Sequence, residues 1–150
     1  MRNAVLALGA VAAAMAVQPA LAQGKPLPPP ASDVMPRVEL RVGLTDGKAT
    51  CSPAELPLPA DTNIELHVVS TADRPVTLTI PGQFEKGHVL HADGDVGHNA
   101  SEKGYTLKAN GQATIRVRSL SPSEVSYACT STANQSEPFT GKVTYTKPAA

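Results

Sequence analysis

The chain has no tryptophan, two phenylalanines and three tyrosines among its 150 residues. A core of stacked aromatic rings is therefore excluded, and the buried volume must be filled by Val, Leu, Ile and Ala. Charge of one sign is missing as well: thirteen Lys and Arg stand against thirteen Asp and Glu. That balance leaves no electrostatic case for nucleic acid or an anionic membrane surface as partner. Sustained helical periodicity is absent, which argues against an α or α/β domain. No nucleophile elbow, acid–base pair in a recognisable setting or phosphate-binding glycine loop occurs, so an enzyme is not expected. Cysteine is limited to Cys51 and Cys129.

What is present begins with a short basic start, an apolar run from Ala4 to Val17 and the small-residue pattern Ala20-Leu21-Ala22. These read as a signal peptide over residues 1–22, cut after Ala22, and predict an exported, periplasmic protein. The apolar run is too short for a stable bilayer anchor, and no cysteine follows it to carry a lipid. Residues 23–36, QGKPLPPPASDVMP, are rich in proline and suit an extended linker. Residues 37–147 then make one domain's worth of chain.

Within that domain the apolar residues alternate with period two. Val38, Leu40, Val42 and Leu44 form one such set; others are Ile64, Leu66 and Val68; Val76, Leu78 and Ile80; and Ala113, Ile115 and Val117. Each set is a strand with one face to bury. Asp46-Gly47, Pro59-Ala60-Asp61, Ala72-Asp73-Arg74-Pro75, Asn110-Gly111 and Ser121-Pro122-Ser123 punctuate them as turns. The economical architecture is all-β, two antiparallel sheets packed face to face. His67 alternates outward and reads as a surface strand residue.

In the stretch from Val125 to Tyr145 the same period puts Val125, Tyr127 and Cys129 on one face. If the first two point into the core, so does the cysteine, where a strand meets a loop. Two blocks now carry a resemblance. Residues 51–80, CSPAELPLPADTNIELHVVSTADRPVTLTI, resemble the first conserved block of the cupredoxin family, and residues 127–145, YACTSTANQSEPFTGKVTY, resemble the second. The resemblance spans nearly all of residues 37–147 and implies a cupredoxin-like Greek-key β-sandwich. The ligands do not carry over. A type 1 copper site needs two imidazoles and a thiolate, usually with an axial thioether. At the corresponding positions stand Val76, the pair Thr132 and Asn134, and Phe139; only Cys129 remains.

The chain is more similar to the EfeO-type cupredoxin-like domain of a periplasmic ferrous-iron uptake system. Cys51-Ser52-Pro53 and Cys129 match that subgroup, and Val76 matches its missing histidine. Thr77 and Thr79 stand where the subgroup has acidic residues, and residues 83–104 form a longer connection. The resemblance implies an accessory in metal binding or uptake, with iron or copper as the ion and an uptake permease or another periplasmic protein as partner.

Two readings of the cysteines follow. In an oxidising compartment they pair as a structural disulfide, worth roughly 4 kcal/mol by the chain-entropy argument. Kept as thiolates, they would need further ligands to close a site. The connection QFEKGHVLHADGDVGHNASEKG also admits two readings. His88, His91 and His98, with Asp93 and Asp95, have donor types that suit divalent copper, zinc or iron; the same residues also suit an exposed, solvated loop. Two functions from different classes result: a periplasmic metal-handling accessory, or a disulfide-stapled β-sandwich that binds a protein partner and no metal.

Overall fold

The computed structural model describes residues 26–85 and 87–148. The signal peptide expected at residues 1–22 lies outside them. Eleven strands follow one another without a helix among the described residues: β1 (Arg37–Thr45), β2 (Lys48–Ser52), β3 (Glu55–Pro59), β4 (Asn63–Ser70), β5 (Val76–Thr79), β6 (Val89–Gly94), β7 (Val96–Asn99), β8 (Gly104–Leu107), β9 (Gln112–Arg118), β10 (Ser123–Ser131) and β11 (Asn134–Thr146). They form two sheets, ordered β2-β1-β4-β9-β6 and β3-β11-β10-β5-β8-β7.

The sheets are mixed, which corrects the purely antiparallel expectation. β1 runs parallel to β4, and β3 runs parallel to β11. Each parallel pair joins strands that are not consecutive in the chain, because the chain passes repeatedly from one sheet to the other. The chain leaves β2 for β3 at Ser52-Pro53, whose peptide bond is cis, and leaves β6 for β7 at Gly94-Asp95. Gly94 has φ +92°, and a Cβ there would lie 2.5 Å from the Gln112 carbonyl oxygen, so the corner needs glycine.

Alternation puts Leu40, Ile64, Leu66, Val68, Ile115 and Val117 from the first sheet against Leu56, Leu58, Leu78, Ile80, Leu107 and Val143 from the second, all buried. The aliphatic core expected from composition is there, but its largest fully buried side chains are Tyr127 and Tyr145. Their hydroxyls are satisfied inside. Tyr127 donates to the Pro53 carbonyl at 2.6 Å and Tyr145 to Gln83 Oε1 at 3.0 Å. Gln83, fully buried, donates in turn to the Arg118 carbonyl at 2.9 Å.

Residues 26–36 are not a free linker. The Ala31 amide donates to the Asp61 carbonyl at 2.8 Å, the Glu65 amide to the Pro36 carbonyl at 2.9 Å, and Thr62 Oγ1 to the Ser32 carbonyl at 3.3 Å. Arg118 Nη1 donates to the Pro28 carbonyl. Proline fixes this segment in an extended form, and the end of the sandwich supplies the partners its backbone lacks.

Candidate functional site

The pole near Cys129 is built by β2, β5, β10 and β11. Cys129 faces the core, in register with Leu78 on one neighbour and Phe139 on the other. Its sulfur is bonded to Cys51, with the Cα atoms 6.4 Å apart, and both residues are buried. The structure thereby decides between the two readings of the cysteines: they form a disulfide, which ties the edge strand of one sheet to a central strand of the other.

The remaining positions of this pole are closed. Val76 is completely buried. Phe139 packs with its ring centroid 6.1 Å from that of Tyr127. Thr132 is exposed, and its Oγ1 donates to the Pro75 carbonyl at 3.2 Å. Asn134 Nδ2 donates to Glu137 Oε2 at 2.9 Å, and Lys48 Nζ reaches the other carboxylate oxygen at 2.8 Å. The Asn134 hydrogen bond, followed by Lys48, holds the Glu137 carboxyl below its ordinary range. These side chains brace the β10–β11 hairpin and leave copper one sulfur already in a covalent bond, so the residues present do not fit a type 1 ion.

The His-rich connection is not one loop. Val89, Ala92 and Val96 pack on the core, so most of the segment is drawn into β6 and β7, on different sheets. His88 sits before β6, with Nδ1 3.2 Å from the Arg118 carbonyl. His91 faces outward on β6, its Nε2 3.4 Å from Asp93 Oδ2. His98 lies on β7, its ring 5.3 Å from Tyr105. Asp95 Oδ2 accepts from the Gln112 amide at 3.2 Å. The five residues expected to share an ion are thus divided among two strands, a turn and a corner, and only His91 and Asp93 are brought together. Among the described residues no group of three or more His, Cys, Asp or Glu could hold a metal ion.

A different feature was not singled out in the sequence. On the outer face of the five-stranded sheet, register places Glu39, His67, Thr114 and Asp93 in one row and Arg41, Val69 and Gln112 in the next. Between them runs a groove of about 550 Å³, floored in part by Gly43, Val69 and His67. His67 Nδ1 is buried with no hydrogen-bond partner, whereas a plain surface residue was expected. Period two marks Glu39, Arg41, His67 and Thr114 as outward; only the sheet order makes them neighbours and adds Asp93 from β6.

No protein-family model matches the chain, and no curated protein matches it in sequence. Solved structures do match in fold. A copper-containing nitrite reductase from Thermus scotoductus SA-01 aligns with 76% of this chain and 31% of its own, at 10% identity and TM-score 0.53. Fet3p, a multicopper oxidase that functions in iron import, aligns with 79% and 29%, at 10% identity and TM-score 0.51. A multicopper oxidase from Pediococcus acidilactici aligns with 83% and 29%, at 13% identity and TM-score 0.50.

The chain has a cupredoxin-like fold. It spans under a third of the length of each of these three proteins. At such identities the likeness carries the Greek-key β-sandwich and nothing of the chemistry. In this cupredoxin-like domain the pole that could present a copper cysteine holds a disulfide and an apolar plug, and the groove lies on the outer sheet face instead.

Proposed function

We propose that this chain is an exported cupredoxin-like binding module, working without electron transfer and without catalysis. The observation that carries the reading is the Cys51–Cys129 bond. A type 1 site requires its cysteine as a thiolate, and here that sulfur is cross-linked among side chains that offer no imidazole. A disulfide persists in an oxidising compartment, which supports export to the periplasm. The protein would act there by holding a partner on its surface.

One observation favours a second reading, the accessory role in iron or copper uptake. His91 and Asp93 face solvent together, 3.4 Å apart, and offer an imidazole and a carboxylate to a divalent ion. Two donors make a weak, open site that could pass an ion to an uptake permease or another periplasmic protein. Fet3p, similar in fold alone, functions in iron import.

Visible absorption of the exported protein after addition of copper(II) tests the first reading. The expected spectrum lacks the intense thiolate-to-copper band. A strong blue colour would overturn the reading, since it would require Cys129 as a free thiolate with a histidine brought to it.

A further inference from the structure

We propose that the groove on the outer face of the five-stranded sheet binds a small molecule carrying carboxylate groups; this deepens the reading of the chain as a binding module. Three observations support it. The first is shape. β1 carries Gly43 where a side chain would otherwise stand between Thr50 and Thr71, whose hydroxyl oxygens lie 3.3 and 3.4 Å from the place a Cβ would take. The missing side chain leaves a hollow whose volume, about 550 Å³, is in the range of small-molecule sites.

The second observation is His67. Its Nδ1 is buried against the sheet without a partner. A buried ring nitrogen without a partner is costly, least so where it carries a lone pair and the ring's proton sits on Nε2. The ring is part of the groove's lining. A second, smaller hollow shares His67 and Gln112 as lining, so the ring stands between two open spaces.

The third is the balance of donors and acceptors. Both acids beside His67 already have partners: Glu39 accepts from Arg41 Nε at 2.7 Å, and Asp93 lies against His91 at 3.4 Å. Arg41, which lines the groove, uses Nε for Glu39, and its side chain is 75% exposed. Arg41, the His67 ring, the Gln112 side chain and the Thr50 hydroxyl line the groove with donor groups, while the Thr71 hydroxyl donates to the Val42 carbonyl. That set fits a carboxylate, which accepts from a guanidinium fork and from neutral donors at once. The acid that lines the groove, Glu39, is paired with Arg41.

Calorimetric titration of the mature, disulfide-bonded protein with citrate, with inorganic phosphate and with putrescine tests the site, together with NMR of the His67 ring. Citrate is expected to bind saturably at one site, with Kd at or below about 1 mM, and to shift the His67 ring resonances. Arg41→Ala and His67→Phe should each weaken it about tenfold. His67→Phe keeps the ring volume and removes the orphaned nitrogen, so its melting temperature should not fall. Val69→Phe, outward on a central strand, should fill the groove and block binding with the fold intact. Phosphate bound as tightly as citrate, preferential binding of putrescine, or citrate binding unchanged in the Arg41 and His67 variants would each overturn the assignment. Absence of citrate binding would also overturn it, while leaving the copper spectrum that tests the binding-module reading untouched.

Discussion

The ring of Tyr127 lies across the backbone of Gly141, its register partner on β11. A Cβ at Gly141 would overlap Tyr127 Cε1 and stand 2.6 Å from the Ala54 carbonyl oxygen. Gly141→Ala is therefore expected to displace the ring whose hydroxyl is bound to Pro53, and with it the β2–β3 corner. The cost should reach about 1–3 kcal/mol, the range of core overpacking. Urea unfolding of the variant checks it; a loss within about 0.5 kcal/mol, typical of neutral surface changes, would show that the ring moves freely.

Exported protein should contain no free thiol. Intact-mass measurement after alkylation without reductant is expected to show no added groups, and two additions would remove the disulfide. Replacing both cysteines by alanine should lower stability by roughly 4 kcal/mol, the chain-entropy value for a separation of 78 residues. Denaturant unfolding of the double variant measures it.

Divalent-metal binding, where it occurs, should depend on His91 and Asp93 and not on a cluster of three histidines. His91→Ala should weaken copper(II) or zinc binding, whereas His88→Ala and His98→Ala should leave it unchanged, because those rings lie at the Arg118 carbonyl and beside Tyr105. Calorimetry on the three single variants decides this. Equal losses from all three would show that the imidazoles converge on one ion.

Alkali should unfold the domain through its buried phenols. Burial pushes the Tyr145 hydroxyl well above its ordinary value, and Tyr105 and Tyr127 shift the same way. A raised folded-state pKa means that the contribution is complete below the unfolded phenol value of about 10 and is lost as pH rises toward the folded value. Tyr145→Phe should flatten that decline. At neutral pH it should cost about 1–3 kcal/mol, because Gln83 Oε1 is left without its donor. Melting temperatures of both proteins between neutral pH and pH 11 supply the test.

Period two in the sequence was enough to set the inward faces of β1, β4, β5, β9 and β10, since a strand with one buried side must alternate. For the same reason Cys129 was legible as an inward residue, while the resemblance to cupredoxins marked Val76 and Phe139 as positions without copper ligands. β6 and β7 were hidden. Their segment is polar and glycine-rich, and its strands form because edges of both sheets are there to receive them. Whether His88, His91 and His98 meet was likewise beyond local pattern, because alternation gives a side chain's direction but not its neighbours. The Cys51–Cys129 pairing was legible because the chain has only two cysteines, whereas the two parallel pairings and the row Glu39–His67–Thr114 join residues distant in sequence with nothing local to mark them. Only the packing of the two sheets, which sets strand order, could decide them.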